Sequence, residues 1–241
     1  MGSSTGGPGR LTLVATPIGN LGDLSPRAVE ALGAADWWIV EDTRISGKLA
    51  AHLGLKKPMR ILNEHTSEAR ICEYGDQIAD GSSVALITDG GCPGISDPGA
   101  HLADLCREAG VAVAAVPGPS AVTTALMLSG FYAQRFAFLG FLPRKSGAMR
   151  SEFQPFADSP MTLVVFEAAP RIEKLLEAAA DVLGERRYAV CRELTKAFEQ
   201  VWRARLPEVP TVTAVPRKGE FTIVVEGRRR PNAAEKGTSE T

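Results

Sequence analysis

Short, wholly apolar runs alternate along this chain with stretches whose apolar residues recur every three or four positions. The first kind predicts strands covered on both faces, the second predicts helices. Leu11 to Ala15 reads as the first strand. Ser25 and Pro26 supply an N-cap and a first-turn proline for a helix that Gly33 should stop. The run Trp37-Trp38-Ile39-Val40 predicts a second strand. Helices follow over 46–53, closed by Gly54, and over 66–80, ended by Gly81, with a weak strand at 60–62 between them. Strand 83–88 comes next. Ser96 or Asp97 caps the helix after it, Pro98 suits that helix's first turn and Gly110 its end. Val111 to Val116 gives a further strand, and 121–128 an apolar helix stopped by Gly130. Such alternation argues for a parallel sheet with helices on both faces.

The second half reads differently. Phe136 to Phe141 predicts a strand, followed by a polar helix, strand 161–167, helix 169–183 and strand 188–193. Two strands, 200–206 and 220–226, then follow with no helical pattern between them, and are expected to pair antiparallel. The fold class is therefore α/β with two subdomains: residues 11–118 around a mostly parallel sheet, and 119–227 around a mixed one. Residues 1–10 read as a flexible N-terminus and 228–241 as a polar, disordered tail. No internal repeat is visible.

Composition narrows this picture. With 44% hydrophobic and 23% charged residues among 241, the chain has globular proportions and ample material for a core. A net charge of -1 gives no global attraction to nucleic acid or membrane, so any RNA contact needs a local basic patch. Cys72, Cys92, Cys106 and Cys191 show no CxxC spacing, which indicates neither a zinc site nor a disulfide framework. No apolar run nears the roughly 20 residues of a membrane span, and the Gly/Ser-rich start lacks the apolar core of a signal peptide. The expectation is a cytoplasmic protein without metal.

Candidate chemistry lies where strands run into glycine- and proline-rich loops: Ala15 to Asp23, Asp89 to Gly99, and Val116 to Ala121. Such loops hold backbone donors and acceptors at the carboxyl ends of strands, where α/β proteins bind small molecules. There is no G-x-x-x-x-G-K-[ST] and no G-x-G-x-x-G after the first strand. A nucleoside-like ligand without a triphosphate therefore fits better than a nucleoside triphosphate or a dinucleotide. Glu41-Asp42-Thr43-Arg44 and Asn63-Glu64-His65 follow further strands; each reads either as a surface ion pair or as groups that orient a hydroxyl or take its proton. Arg144, Lys145 and Arg150, with Arg186 and Arg187, read either as a phosphate-contacting surface or as a solvated face. Phe166-Glu167-Ala168-Ala169-Pro170-Arg171 and Arg192-Glu193-Leu194-Thr195-Lys196 lie at strand ends of the second half.

These runs, together with Pro93-Gly94-Ile95-Ser96-Asp97-Pro98-Gly99, Pro117-Gly118-Pro119-Ser120-Ala121, Gly140-Phe141-Leu142-Pro143-Arg144-Lys145 and Gly219-Glu220-Phe221, occur in one order over about residues 11–227. Taken together they resemble the small-subunit ribosomal RNA methyltransferase I branch of the tetrapyrrole methylase (class III methyltransferase) superfamily. The resemblance implies a Rossmann-like first half and S-adenosyl-L-methionine folded between two α/β halves of a homodimer. It further implies 2′-O-methylation of a cytidine in the decoding region of 16S rRNA. Carried over by position, it implies that Thr16, Pro17, Asp89, Cys92, Ile95, Ser96, Ser120, Ala121, Phe166 and Glu167 hold the donor. Glu41, Asp42, Glu64 and His65 become candidates for the base or for orienting the acceptor, and Arg44, Arg144, Lys145 and Lys196 for contacting RNA phosphates.

The chain departs from that pattern in places. Asp89-Gly90-Gly91-Cys92-Pro93 stands for the family's Asp-Ala-Gly-Thr-Pro, and Phe166-Glu167-Ala168-Ala169-Pro170-Arg171 for Tyr-Glu-Ser-Pro-His-Arg. A proline-rich segment lies between Leu206 and Glu220 where a helix is expected, and a polar tail stands in place of a small helical extension. Two rival readings are a methyltransferase of the same fold acting on a tetrapyrrole or other small molecule, and a module that binds without turnover.

Overall fold

The computed structural model describes residues 9–97 and 99–229; Pro98, the start of the N-terminal segment and the tail beyond Arg229 lie outside the described residues. The chain divides into two compact units between Ser120 and Ala121.

The first unit holds strands β1 (Arg10–Val14), β2 (Trp37–Val40), β3 (Met59–Ile61), β4 (Ser83–Leu86) and β5 (Ala112–Val116) in one sheet, ordered β3-β2-β4-β1-β5, with every pairing parallel. The unbroken apolar runs are explained by burial on both faces. Trp37, Ile39, Val84 and Leu86 pack beneath helices α3 (Glu68–Ala79) and α4 (Gly99–Glu108) through Ile71, Tyr74, Ile78, Leu102 and Cys106. Their alternates Trp38, Val40, Ala85 and Ile87 pack beneath α1 (Pro26–Ala34) and α2 (Thr43–His52) through Ala28, Leu32, Leu49 and Ala50. The helix after β1 thus covers one face and the helix after β4 the other. Since β1 and β4 are neighbours, their carboxyl ends form the topological switch point, where open α/β sheets bind ligands in the crevice between their loops.

Local chemistry sets the helix ends. Ser25 caps α1 by accepting from the Ala28 N–H at 3.2 Å. Gly33 does not stop that helix: it lies within the last turn, and Ala35 is the C-cap. α2 begins three residues earlier than its hydrophobic pattern suggests, because the Asp42 carboxylate caps it by accepting from the Arg44 N–H at 2.7 Å. Gly54, Gly81, Gly110 and Gly130 all follow helices with positive φ, as a left-handed exit requires.

The second unit contains α5 (Ala121–Ser129), β6 (Phe136–Phe141), α6 (Ser146–Phe153), β7 (Thr162–Ala168), α7 (Ile172–Leu183), β8 (Arg187–Arg192), β9 (Gln200–Arg205) and β10 (Glu220–Val225). The expected helix over 169–183 opens with a 3-10 turn at Ala169–Arg171. The sheet order is β6-β7-β10-β8-β9, with β6 and β7 parallel and the remaining pairs antiparallel. One expectation fails here. The strands at 200–206 and 220–226 do not pair with each other; β8 lies between them, and each runs antiparallel to it. Both therefore donate to β8, which is apolar on both faces and gains from being interior, whereas β9, with arginines at two of its six positions, takes the edge. α6 and α7 cover one face through Met149, Phe153, Leu175, Leu176 and Ala179, and α5 lies on the other.

Trp38 is fully buried and its indole N–H donates to the Leu32 carbonyl at 3.0 Å, tying β2 to α1. Replacing it by phenylalanine removes that bond and leaves a void, so Trp38→Phe is expected to lower the unfolding free energy in urea by about 2 kcal/mol with an unchanged denaturant slope.

Candidate active site

The switch-point crevice is built from backbone. Past β1 and β4 the two chains form an antiparallel bridge: the Thr16 N–H donates to Gly91 O at 2.9 Å and the Gly91 N–H returns to Thr16 O at 3.0 Å. Thr16, itself buried, also donates its hydroxyl to Thr88 O at 3.2 Å. The loop after β5 is drawn in as well: Ala15 N–H donates to Val116 O at 3.1 Å, and the Cys92 thiol points at Pro119 O at 3.5 Å. These approaches leave little room for side chains at the glycines. A Cβ on Gly90 would stand 3.1 Å from Pro17 O, and one on Gly118 would stand 3.0 Å from the Ala15 Cβ. Thr16, Pro17, Asp89, Cys92 and Ser120 are thereby placed on converging loops of one sheet edge.

Asp97 organises the far side of the loop after β4. Its carboxylate accepts the N–H groups of Gly94 (2.8 and 3.0 Å), Ile95 (3.1 Å) and Gly99 (2.8 Å), wrapping the backbone around one charge. Ser96 takes a φ of 70° within that wrap, and Ile95 is left exposed. In the sequence Asp97 is legible only as a helix cap.

Three carboxylates and one arginine gather where β2 and β4 end. Asp89 is partly buried, its N–H donates to Glu41 Oε2 at 3.4 Å, and its Oδ1 has no hydrogen-bond partner; nor has the neighbouring Thr88 hydroxyl. Burial, and then the charges of Glu41 and Asp42, push the Asp89 carboxyl up to about 6. Asp42 moves the opposite way: the Arg44 guanidinium and backbone N–H hold it down to about 2. Arg44, expected to meet RNA phosphates, folds back on Asp42 through Nε at 3.0 Å while staying largely exposed. Glu64 and His65 lie apart on an exposed turn after the edge strand β3, 3.6 Å from each other, and neither bonds to this cluster.

In the second unit, Phe166 lies in the last half of β7 with its ring 4.8 Å from Phe138 and 5.6 Å from Phe141, centroid to centroid. Glu167 beside it is wholly buried, which raises its pKa; it accepts from Ala168 N–H at 2.8 Å and pairs with Arg171 at 3.1 Å. Arg171 in turn donates to the Leu142 and Pro143 carbonyls at 2.7 and 3.3 Å, and Lys174 reaches the Arg144 carbonyl. The loop bearing Arg144 and Lys145 is thus clamped by its carbonyls. Neither side chain has a carboxylate partner among the described residues, and both residues are exposed.

The other basic candidates are spent within the fold. Arg186 is buried and donates to the Ala157 carbonyl at 2.6 Å, Arg187 pairs with Glu226 at 2.6 Å, and Arg150 donates to Asp181 at 2.8 Å. Lys196 sits between Glu193 (3.0 Å) and Glu220 (2.9 Å). Ala121 begins α5. The described residues include no group of three or more His, Cys, Asp or Glu suited to a metal ion, and no helix long and apolar enough to cross a membrane.

Comparison with known proteins bears on this arrangement. Residues 10–210 match the family model of the tetrapyrrole (corrin/porphyrin) methylases. Ribosomal RNA small subunit methyltransferase I of Xylella fastidiosa is 44% identical over 231 residues, 94% of this chain and 85% of that protein. The Haemophilus influenzae protein of the same name is 43% identical, covering 91% of this chain and 79% of its own. Among solved structures, uroporphyrin-III-C-methyltransferase from Thermus thermophilus superposes with a TM-score of 0.63 at 22% identity, over 91% of this chain and 92% of that one. A Thermus thermophilus uroporphyrin-III C-methyltransferase complexed with S-adenosylhomocysteine gives 0.64 at 20% identity, over 89% and 96%. The structures carry the shared fold and the near-full-length relatives carry the branch: this chain is a methyltransferase of the tetrapyrrole (corrin/porphyrin) methylase family, and it belongs there with the ribosomal RNA small subunit methyltransferase I proteins.

Proposed function

We propose that this protein transfers a methyl group from S-adenosyl-L-methionine to the ribose 2′-hydroxyl of a cytidine in the decoding region of 16S rRNA, as a cytoplasmic homodimer. The observation that carries this reading is the identity above 40% to proteins named for small-subunit ribosomal RNA, over more than nine-tenths of the chain. The porphyrin-modifying structure stands at 22%, so RNA is favoured over a tetrapyrrole as acceptor.

The crevice fits the donor on its own terms. It offers close-packed backbone at Gly90 and Gly118, and unpartnered buried oxygens on Thr88 and Asp89, which suit the amino and hydroxyl groups of a nucleoside. Thr16, Pro17, Asp89, Cys92, Ile95, Ser96 and Ser120 are the residues assigned to hold it. When bound, the donor supplies a sulfonium methyl that is open to in-line displacement. The protein's share is then to fix the acceptor oxygen and to take its proton as attack proceeds. Asp42, held near 2 by Arg44, is a weak acceptor and a better positioner of Arg44. Glu41, whose carboxylate reaches the Asp89 N–H, is the stronger candidate of the four sequence-derived groups. Asp89, with its proton held to about 6, adds a candidate that its donor-binding role concealed.

Transfer of label from S-adenosylmethionine to small ribosomal subunits lacking the modification, with the labelled nucleotide mapped, tests the reading; label on a base, or no label, overturns it. Glu41→Ala and Arg44→Ala, made separately, are each expected to cut that transfer at least about tenfold. Full activity in both would remove the cluster from the site. Arg144→Ala with Lys145→Ala is expected to raise KM for the subunits several-fold, with S-adenosylhomocysteine binding unaltered in calorimetry.

Asp89 also makes a prediction for stability. Its carboxyl ionises near 3.8 when unfolded and about 6 when folded, so the folded state holds the proton more tightly. Stability from this group is present below pH 3.8 and is lost as the pH rises through 6. Asp89→Asn is therefore expected to stabilise the protein at pH 8 by about 1–2 kcal/mol, after allowance for solvent screening, and to add little at pH 4. Thermal melts at the two pH values decide it.

A further inference from the structure

β8 and β9 lie side by side at one edge of the second sheet, and their register sets Arg187 directly across from Arg205, with Ala189 across from Arg203. Side chains alternate along a strand, so Trp202 and Ala204 turn to the apolar core while Arg203 and Arg205 share the opposite face with Arg187. The guanidiniums of Arg187 and Arg203 both lie against the ring of Phe131, 5.1 and 4.9 Å from its centroid. With Ala204 and Arg205 they line a shallow cleft of about 340 Å³.

The surrounding charges leave this face positive. Glu226 takes Arg187 through two bonds of 2.6 Å and Arg229 through one of 3.1 Å, and the Arg229 guanidinium lies 4.3 Å from the centroid of the Tyr132 ring. Arg205 meets only an exposed Glu185 at 3.4 Å, and Arg203 has no carboxylate partner among the described residues. Four guanidiniums thus stand against two carboxylates.

Folding accounts for Arg187, the partner of the buried Glu226, but not for Arg203 and Arg205. Like charges directly opposite on adjacent strands destabilise a sheet. Charges on an edge strand do discourage aggregation, but β9 alone would serve that end. Arg187 stands on the interior strand, held in place by Glu226 and Phe131. Arginines fixed on an aromatic ring present planar pairs of N–H donors, the geometry that phosphate oxygens accept. We propose that the face bearing Arg203 and Arg205, beside the Glu226-paired Arg187, is a second RNA-contacting surface, one that grips the phosphodiester backbone outside the region undergoing methylation. It rests on the reading that the acceptor is RNA.

The test is the dissociation constant for small ribosomal subunits lacking the methyl group, measured over a range of salt for the wild type and for R203Q/R205Q. Loss of two phosphate contacts should weaken binding about tenfold near 0.1 M salt and flatten the log–log salt slope by about 1.4–1.8. S-adenosylhomocysteine binding should match the wild type, which certifies the fold, and R203K/R205K should recover part of the affinity. Equal affinity and slope in wild type and variant, with the wild type binding and methylating the subunits, overturns the surface and leaves the proposed function standing. A wild type that neither binds nor methylates them overturns both. Competition by phosphatidylglycerol vesicles or polyglutamate that outmatches RNA at this face also overturns it.

Discussion

The parallel pairing of β1 with β4 fixes the carboxyl edge of the first sheet, because the helices that follow these two strands leave on opposite faces. Their loops therefore cannot cover the strand ends and are forced to meet above them. The bridge between Thr16 and Gly91 is where they meet, and the loop after β5 is drawn in at Ala15 and Cys92. Glycine at positions 90 and 118 follows from this closeness, since a side chain at either would press on the opposing backbone or on Ala15. The donor-binding proposal and the acidic cluster both rest on the geometry of that edge.

Charge is distributed on the same edge by burial rather than by sequence proximity. Asp42 and Asp89 are both aspartates near Arg44, yet one is held low and the other raised. Asp42 faces solvent and takes the guanidinium and a helical N–H; Asp89 is partly buried with two carboxylates near it. Burial first, and then the charges of Glu41 and Asp42, bring the Asp89 carboxyl to about 6.

Cations in the second unit have been divided between structure and surface. Arg186, Arg171 and Lys174 spend their donors on backbone carbonyls, and Arg150 and Lys196 on carboxylates. Arg144, Lys145, Arg203 and Arg205 remain outward. A net charge near zero across the chain is thus compatible with RNA binding, because the net figure sums charges that stand far apart and leaves local positive faces in place.

Much of this was determined by sequence alone. Unbroken runs such as Trp37 to Val40 require a strand covered on both faces, and Ser25-Pro26 and the glycines at 54, 81 and 110 mark helix ends through local backbone chemistry. The loop motifs identified the family because so many backbone-constrained positions recur in one order. What tertiary structure decided is whatever depends on residues far apart in the chain. β8 entered between β9 and β10, since pairing order is set by which strand gains most from being interior. Arg186 became a buried donor, because it met the Ala157 and Glu226 carbonyls only after folding. The sequence dictates local conformation through short-range sterics and apolar periodicity; the fate of each charge waits on the partners and the burial that the fold provides.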